Sequence, residues 1–409
     1  MASLTTTSVF DRVLGPEEGR ALRVGGTIGA IVAVLILSSL LNVSLLSVLV
    51  NGTQTGVVYA LVALGIALVY KSTRVLNFAQ GEIGTVAAFV VYFGLARGDK
   101  EVILQQSEVA FFEMVLWALL AIVVGAVLAI VINLGIVRQL SNAAPVTTLV
   151  ATIGVALLLV GSQVLYFDAL PRSFPQFLAG GPSGVELGGL CLSNTADGVC
   201  LGSEATFALG GVNITYQFLL TTAILIVVAA ALGVFFRTPA GTALLATSQE
   251  PFAAQLSGVS VTAMSALAWG TAGAFGALAG ILGGGVFQSI TPGFMTSLFL
   301  VPAIVAAVLG GITSMPGAVV GALLLGIVQT FANSAVGANG WSVPGPPQLA
   351  TFSVLLLVLL FRPRGLFGKE AWRWRRRLHP APPTSARTTR ATRGRRPLAA
   401  GSPVSPCSA

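Results

Sequence analysis

Asn77, Gln80 and Glu82 stand within six residues of one another in YKSTRVLNFAQGEIGTVAAFVVYF, Tyr70 to Phe93, with apolar sequence on both sides. Two amides and a carboxylate at this spacing support two kinds of chemistry. From the wall of a path or gate they can bind the ammonium and carboxylate of a zwitterion. They can also shape the chain: a carboxylate in the first turn of a helix meets the partial positive charge of its free amides, and an Asn just before it closes the preceding turn. A second group, Thr147, Thr148, Thr152 and Gln163, lies in one later apolar run. Thr148 and Thr152 share a helical face, and their hydroxyls can line a path or bond the carbonyl one turn back.

Other chemistry is excluded by composition. His379 is the one histidine, and the lysines are Lys71, Lys100 and Lys369. No histidine metal centre or triad can form near the polar block, and no lysine completes a phosphate-binding G-x-x-x-x-G-K-[ST] loop. Cys191, Cys200 and Cys407 make no C-x-x-C pair, which removes a zinc ribbon. Ion-driven carriers keep ionisable groups at depth, whereas here only Glu82 and Glu113 come close, near segment ends.

The elements that must hold these residues are apolar helices. Of 409 residues 55% are apolar and 9% charged, against about 25% charged in soluble domains. Ten apolar segments are read at 24–46, 51–70, 82–97, 112–137, 145–167, 216–236, 261–283, 297–313, 316–335 and 348–361. About 20 residues cross a hydrocarbon core about 30 Å thick, so this is an all-α polytopic bundle of about 8–10 spans. The 48 glycines suit close helix–helix approach in lipid. Gly283, Gly284 and Gly285 are expected to break a helix.

Charge orients the bundle. From Arg362 onward stand 12 bases and one acid, while the rest of the chain holds 10 bases and 13 acids. Ten crossings from a cytoplasmic N-terminus (1–23) place Lys71, Arg74, Arg138, Arg237 and the basic tail 362–409 inside, as the positive-inside rule asks. The tail, rich in Pro, Ala, Thr, Ser and Arg, reads as disordered, with WRWRRR at the lipid headgroups; nucleic acid is not its partner. The permease body spans 24–361. The 168–215 loop falls outside, where Cys191 and Cys200 could form a disulfide. The polar block falls at the cytoplasmic edge of the third segment.

Residues 237–260, RTPAGTALLATSQEPFAAQLSGVS, are too polar to span and remain cytoplasmic. Pro251 opens a short helix and Gly258 stops it, with Phe252 and Leu256 one turn apart on one face. That stripe fits a groove on a partner or the membrane surface.

Four stretches in order resemble the permease subunits of branched-chain amino acid ABC importers, the LivH-like family, over residues 48–369. They are NGTQTGVVYALVALGIALVYKSTRVLNFAQGE, AGTALLATSQEPFAAQLSGVS, VLGGITSMPGAVVGALLLGIVQ and LFRPRGLFGK. The 24–46 span and the long tail are additions to that pattern. The resemblance implies an ABC importer permease fold and a transport subunit that is not itself an enzyme and needs no cofactor. It sits in the bacterial plasma membrane and carries branched-chain or other hydrophobic amino acids. Its implied partners are a second, LivM-like permease subunit, two ABC ATPase subunits and an extracytoplasmic solute-binding protein. ATPase docking is carried over to Ala246, Glu250, Ala253, Ala254 and Gly258. Rival readings are a urea or short-amide permease of the same family, and an ion-coupled secondary transporter.

Overall fold

The computed structural model describes residues 38–39, 41, 43–98, 111–140, 143–177, 206–209, 212–361 and 365–367. The N-terminal segment, most of the 24–46 span, Cys191, Cys200 and the tail beyond Phe367 lie outside these residues. Eleven α-helices are described: α1 (Leu45–Thr73), α2 (Gln80–Leu95), α3 (Phe111–Ile132), α4 (Pro145–Phe167), α5 (Tyr216–Phe235), α6 (Pro239–Gln249), α7 (Pro251–Leu256), α8 (Val261–Phe287), α9 (Val301–Gly310), α10 (Met315–Ala338) and α11 (Pro346–Phe361). Single π-helical turns extend α3 at its end (Asn133–Val137) and precede α9 (Thr296–Leu300). Four short strands interrupt the helices: β1 (Arg172–Ser173), β2 (Thr206–Leu209), β3 (Val212–Thr215) and β4 (Ser289–Ile290), pairing antiparallel as β1–β4 and β2–β3. Among the described residues six helices are long and apolar enough to cross a membrane, and three shorter apolar helices accompany them.

The centre is made by α1 and α8, which run antiparallel: Val58 lies beside Gly283 and Gly65 beside Ala272. Glycine permits the closest approaches. A Cβ on Gly280 would stand 2.0 Å from the Gly84 carbonyl oxygen, and one on Gly273 would stand 2.4 Å from that of Gly125. Backbone therefore packs on backbone where α2, α3 and α8 meet. Gly283–Gly285 sit inside α8, which continues to Phe287. They do not break the helix; they open room for Phe174, Ile290 and Gln217. Around this centre α3, α4, α5 and α11 turn Leu and Val outward, including Leu120, Leu158, Val227 and Leu356, as lipid contact requires.

Helix ends sort into two sets. Lys71, over the Phe236 ring at 4.7 Å, lies with the α6–α7 elbow at one end. Phe174, whose N–H donates to the Gln288 carbonyl at 3.0 Å, lies at the other. We call these the elbow end and the far end.

Two crossings are not continuous helices. α1 ends at Arg74 and α8 at Gln288, both left-handed, with φ of 58° and 53°. After each, a short irregular run enters the bundle before a half-length helix begins. The six residues 74–79 can span about 20 Å, enough to return from the elbow end to mid-depth. Gln80 lies beside Ala272 and Gly276, and Gly84 beside Gly280, so α2 starts mid-bundle and runs to the far end. The second run, 288–295, comes from the far end. The π turn and α9 then continue to the elbow end, where Gly310 packs on Gly317.

Candidate functional site

The polar block belongs to the joint between these half-helices, not to a membrane edge. Gly81 lies against Thr296, the first residue of the π turn. Two helix N-termini thus face each other at mid-depth, and Glu82, fully buried in the first turn of α2, lies between them. Oriented amides at both ends favour negative charge there. The carboxylate lies beside Thr85 and Thr296. Its Oε2 accepts from Gln163 Nε2 at 3.0 Å, while Oε1 and the Thr296 hydroxyl reach no proper hydrogen-bond geometry.

The amides do structural work. Asn77 Oδ1 accepts the Ala79 N–H at 3.0 Å, closing the turn before α2, and its Nδ2 donates to Gln80 Oε1 at 3.3 Å. Gln80 Nε2 donates to the Ala272 carbonyl of α8 at 2.6 Å. Thr152 donates to the Leu149 carbonyl at 2.8 Å and lies 3.4 Å from both the Leu76 carbonyl and the Phe78 N–H. Gln163 Oε1 accepts the Gly293 N–H at 3.3 Å, and Thr85 Oγ1 accepts the Met295 N–H at 3.4 Å. Buried main-chain groups need partners, and these side chains supply them to both irregular runs. Thr148 is buried on the same face of α4. The block that sequence places at the cytoplasmic edge is central because the helix it opens is shorter than a full span and starts beside the middle of α8.

At the elbow end, Thr238 caps α6, accepting the Gly241 N–H at 3.2 Å, and Glu250 joins α6 to α7. Pro251 begins α7, and Gly258, with φ of 82°, follows it. Phe252 and Leu256 are 73% and 76% exposed. Ala246, Glu250, Ala253 and Gly258 are exposed with them. Ala254, carried over with them for docking, is buried and turns inward to seat α7.

A third polar region was missed in the sequence. At the far end, a cleft of about 600 Å³ lies between α1, α10 and α11. Asn51, Thr55 and Tyr59 enter from α1, Gln329 and Asn333 from α10, and Thr351 from α11. The Tyr59 hydroxyl donates to Gln329 Oε1 at 2.6 Å; Gln329 Nε2 donates to the Thr351 hydroxyl, which donates to the Pro347 carbonyl at 2.8 Å. The available signal was the i, i+4, i+8 repeat of Asn51, Thr55 and Tyr59, which puts three polar groups on one helical face.

Residues 48–362 match the family model described as branched-chain amino acid transport system / permease component. The chain belongs to this family. It is 28% identical to the high-affinity branched-chain amino acid transport permease BraD of Pseudomonas aeruginosa, over 78% of this chain and 95% of the relative. It is 26% identical to the corresponding permease LivH of Salmonella typhimurium, over 78% and 94%. The galactose/methyl galactoside import permease MglC of Salmonella typhimurium is 26% identical over 74% of this chain and 81% of that one. This permease component is therefore a multi-pass membrane protein, and the remaining resemblance blocks have physical roles in it. Ser314 caps α10, accepting the Gly317 N–H at 3.3 Å. The Leu366 and Phe367 N–H groups donate to the Leu309 and Gly310 carbonyls at 2.7 and 3.1 Å, satisfying the end of α9. Gly365 is required there: a Cβ would stand 2.4 Å from the Val308 carbonyl oxygen.

Proposed function

We propose that this chain is the permease subunit of an ATP-driven importer of branched-chain amino acids in the bacterial plasma membrane, its elbow end cytoplasmic. The observation that carries the reading is the α6–α7 elbow, which holds Phe252 and Leu256 in the open at the end bearing Lys71, Arg74 and Arg237. Two large apolar side chains one turn apart, on a short helix anchored by Ala254, fit a groove on a soluble partner. Here that partner is an ATPase subunit. A second, related permease half and an extracytoplasmic receptor complete the assembly.

Closure of the ATPases would displace the elbow. Through α8, which follows it directly, the displacement would rock the central helices between two arrangements. Among the described residues Glu82 is the one fully buried charged side chain, and Gln163 holds one of its carboxylate oxygens. This favours a borrowed motor over an ion relay. The receptor contributes to choosing the solute, and leucine is the first probe.

Co-purification with the neighbouring ATPases and leucine uptake by the reconstituted complex test this. Phe252→Glu is expected to weaken ATPase retention about 30-fold, corresponding to a hot-spot loss of about 2 kcal/mol. Undiminished retention and uptake would sink the docking assignment.

A further inference from the structure

We propose that the far-end cleft is a transit subsite for a small solute with one hydrogen-bonding end and one apolar end. Its placement comes first. Asn51 and Asn333 are exposed, and Tyr59 and Gln329 lie about mid-way along their helices. The two exposed amides lie nearer the far end than Tyr59 and Gln329 but still within apolar helices, where they are costly against lipid, whereas the outer faces of α3, α4 and α5 present Leu and Val. This face therefore meets water or protein, and the cleft leads from the far end towards the middle of the bundle.

Its chemistry comes second. The six polar side chains named above are all neutral, so they can exchange hydrogen bonds with a carboxylate, an ammonium or an amide without trapping it in an ion pair. A transit site must be weak enough to leave, as in conducting pores. Phe287, Leu298 and Phe352 line the same cleft and give an aliphatic side chain somewhere to lie. Behind the exposed amides, the buried and internally bonded Tyr59–Gln329–Thr351 chain fixes the floor of the cleft. Both cavity size and mixed lining suit a branched-chain amino acid, and this assignment rests on the importer reading above.

Two measurements test the cleft. In a chain with Cys191, Cys200 and Cys407 replaced by Ser, Asn333→Cys is expected to react with a charged, membrane-impermeant maleimide added from the far side. Leu158→Cys, on the outer face of α4, is expected to stay unlabelled. No labelling at position 333 overturns the proposal whatever the solute. In the reconstituted complex, Gln329→Leu and Asn333→Leu are each expected to lower leucine carried per ATP hydrolysed about tenfold. Unchanged coupling in both also overturns it. Asn333 is exposed, so its variant reads the cleft where Gln329→Leu fails to fold. If the wild-type complex neither hydrolyses ATP nor takes up leucine, the importer reading fails, while the labelling still judges the cleft.

Discussion

The joint of the half-helices and the far-end cleft are both polar regions within the span of this bundle, and they differ in what surrounds them. At the joint, Asn77, Gln80, Glu82, Thr152 and Gln163 are buried and mostly spend their hydrogen bonds on irregular backbone and on one another. At the cleft, Tyr59, Gln329 and Thr351 are likewise buried and bonded internally, but Asn51 and Asn333 are exposed and the lining is uncharged. Polarity at the joint repairs the main chain where helix is interrupted. At the cleft, the exposed amides Asn51 and Asn333 face a space. Residue type alone does not separate these roles; depth and partner do.

The comparison can be broken most forcefully at the joint's packing. Gly280→Leu would drive side chain into the Gly84 carbonyl, already 2.0 Å from a bare Cβ. Overpacking costs typically about 1–3 kcal/mol, occasionally more, and backbone cannot yield here. Loss of a monodisperse peak after detergent extraction is expected; a wild-type profile would refute the tight contact.

A smaller effect is expected from Gln163→Leu, which strips Glu82 Oε2 of its donor and the Gly293 N–H of its acceptor. Unpaired buried groups cost about 1–3 kcal/mol each, so the thermal midpoint in detergent should fall clearly. At the other extreme, Asn333→Leu is expected to leave stability within about 0.5 kcal/mol of wild type, as exposed sites do. A large drop in its melting temperature would make Asn333 part of the scaffold and erase the distinction.

Much of the bundle was legible in the chain. Long apolar runs gave the helices, with α3, α4, α5, α8 and α10 close to their expected limits and α1 starting six residues before its own, because lipid admits so few alternatives. The short helix between Pro251 and Gly258 was legible from proline and glycine alone. The depth of the NFAQGE block was not. A chain that enters the bundle as extended backbone and only then coils looks, in sequence, like a span beginning at the surface. Ala254 could not be assigned either, since a small residue is equally suited to a partner's groove and to its own protein. The cleft escaped because its residues lie far apart along the chain: the Tyr59–Gln329 bond joins residues 270 positions apart.

The attachment of α4 has a mechanical consequence. Its outward side is loose oil, with Leu157, Leu158 and Leu165 among its most exposed residues, and oil sets no register. Thr152 and Gln163, about three turns apart, are its two polar rivets: one holds the run before α2, the other the run before α9. Sliding this helix by a single turn would shear both at once. A peripheral helix that looks free to drift is thereby clamped to the two breaks in the bundle, and whatever moves those breaks must carry it along as one piece.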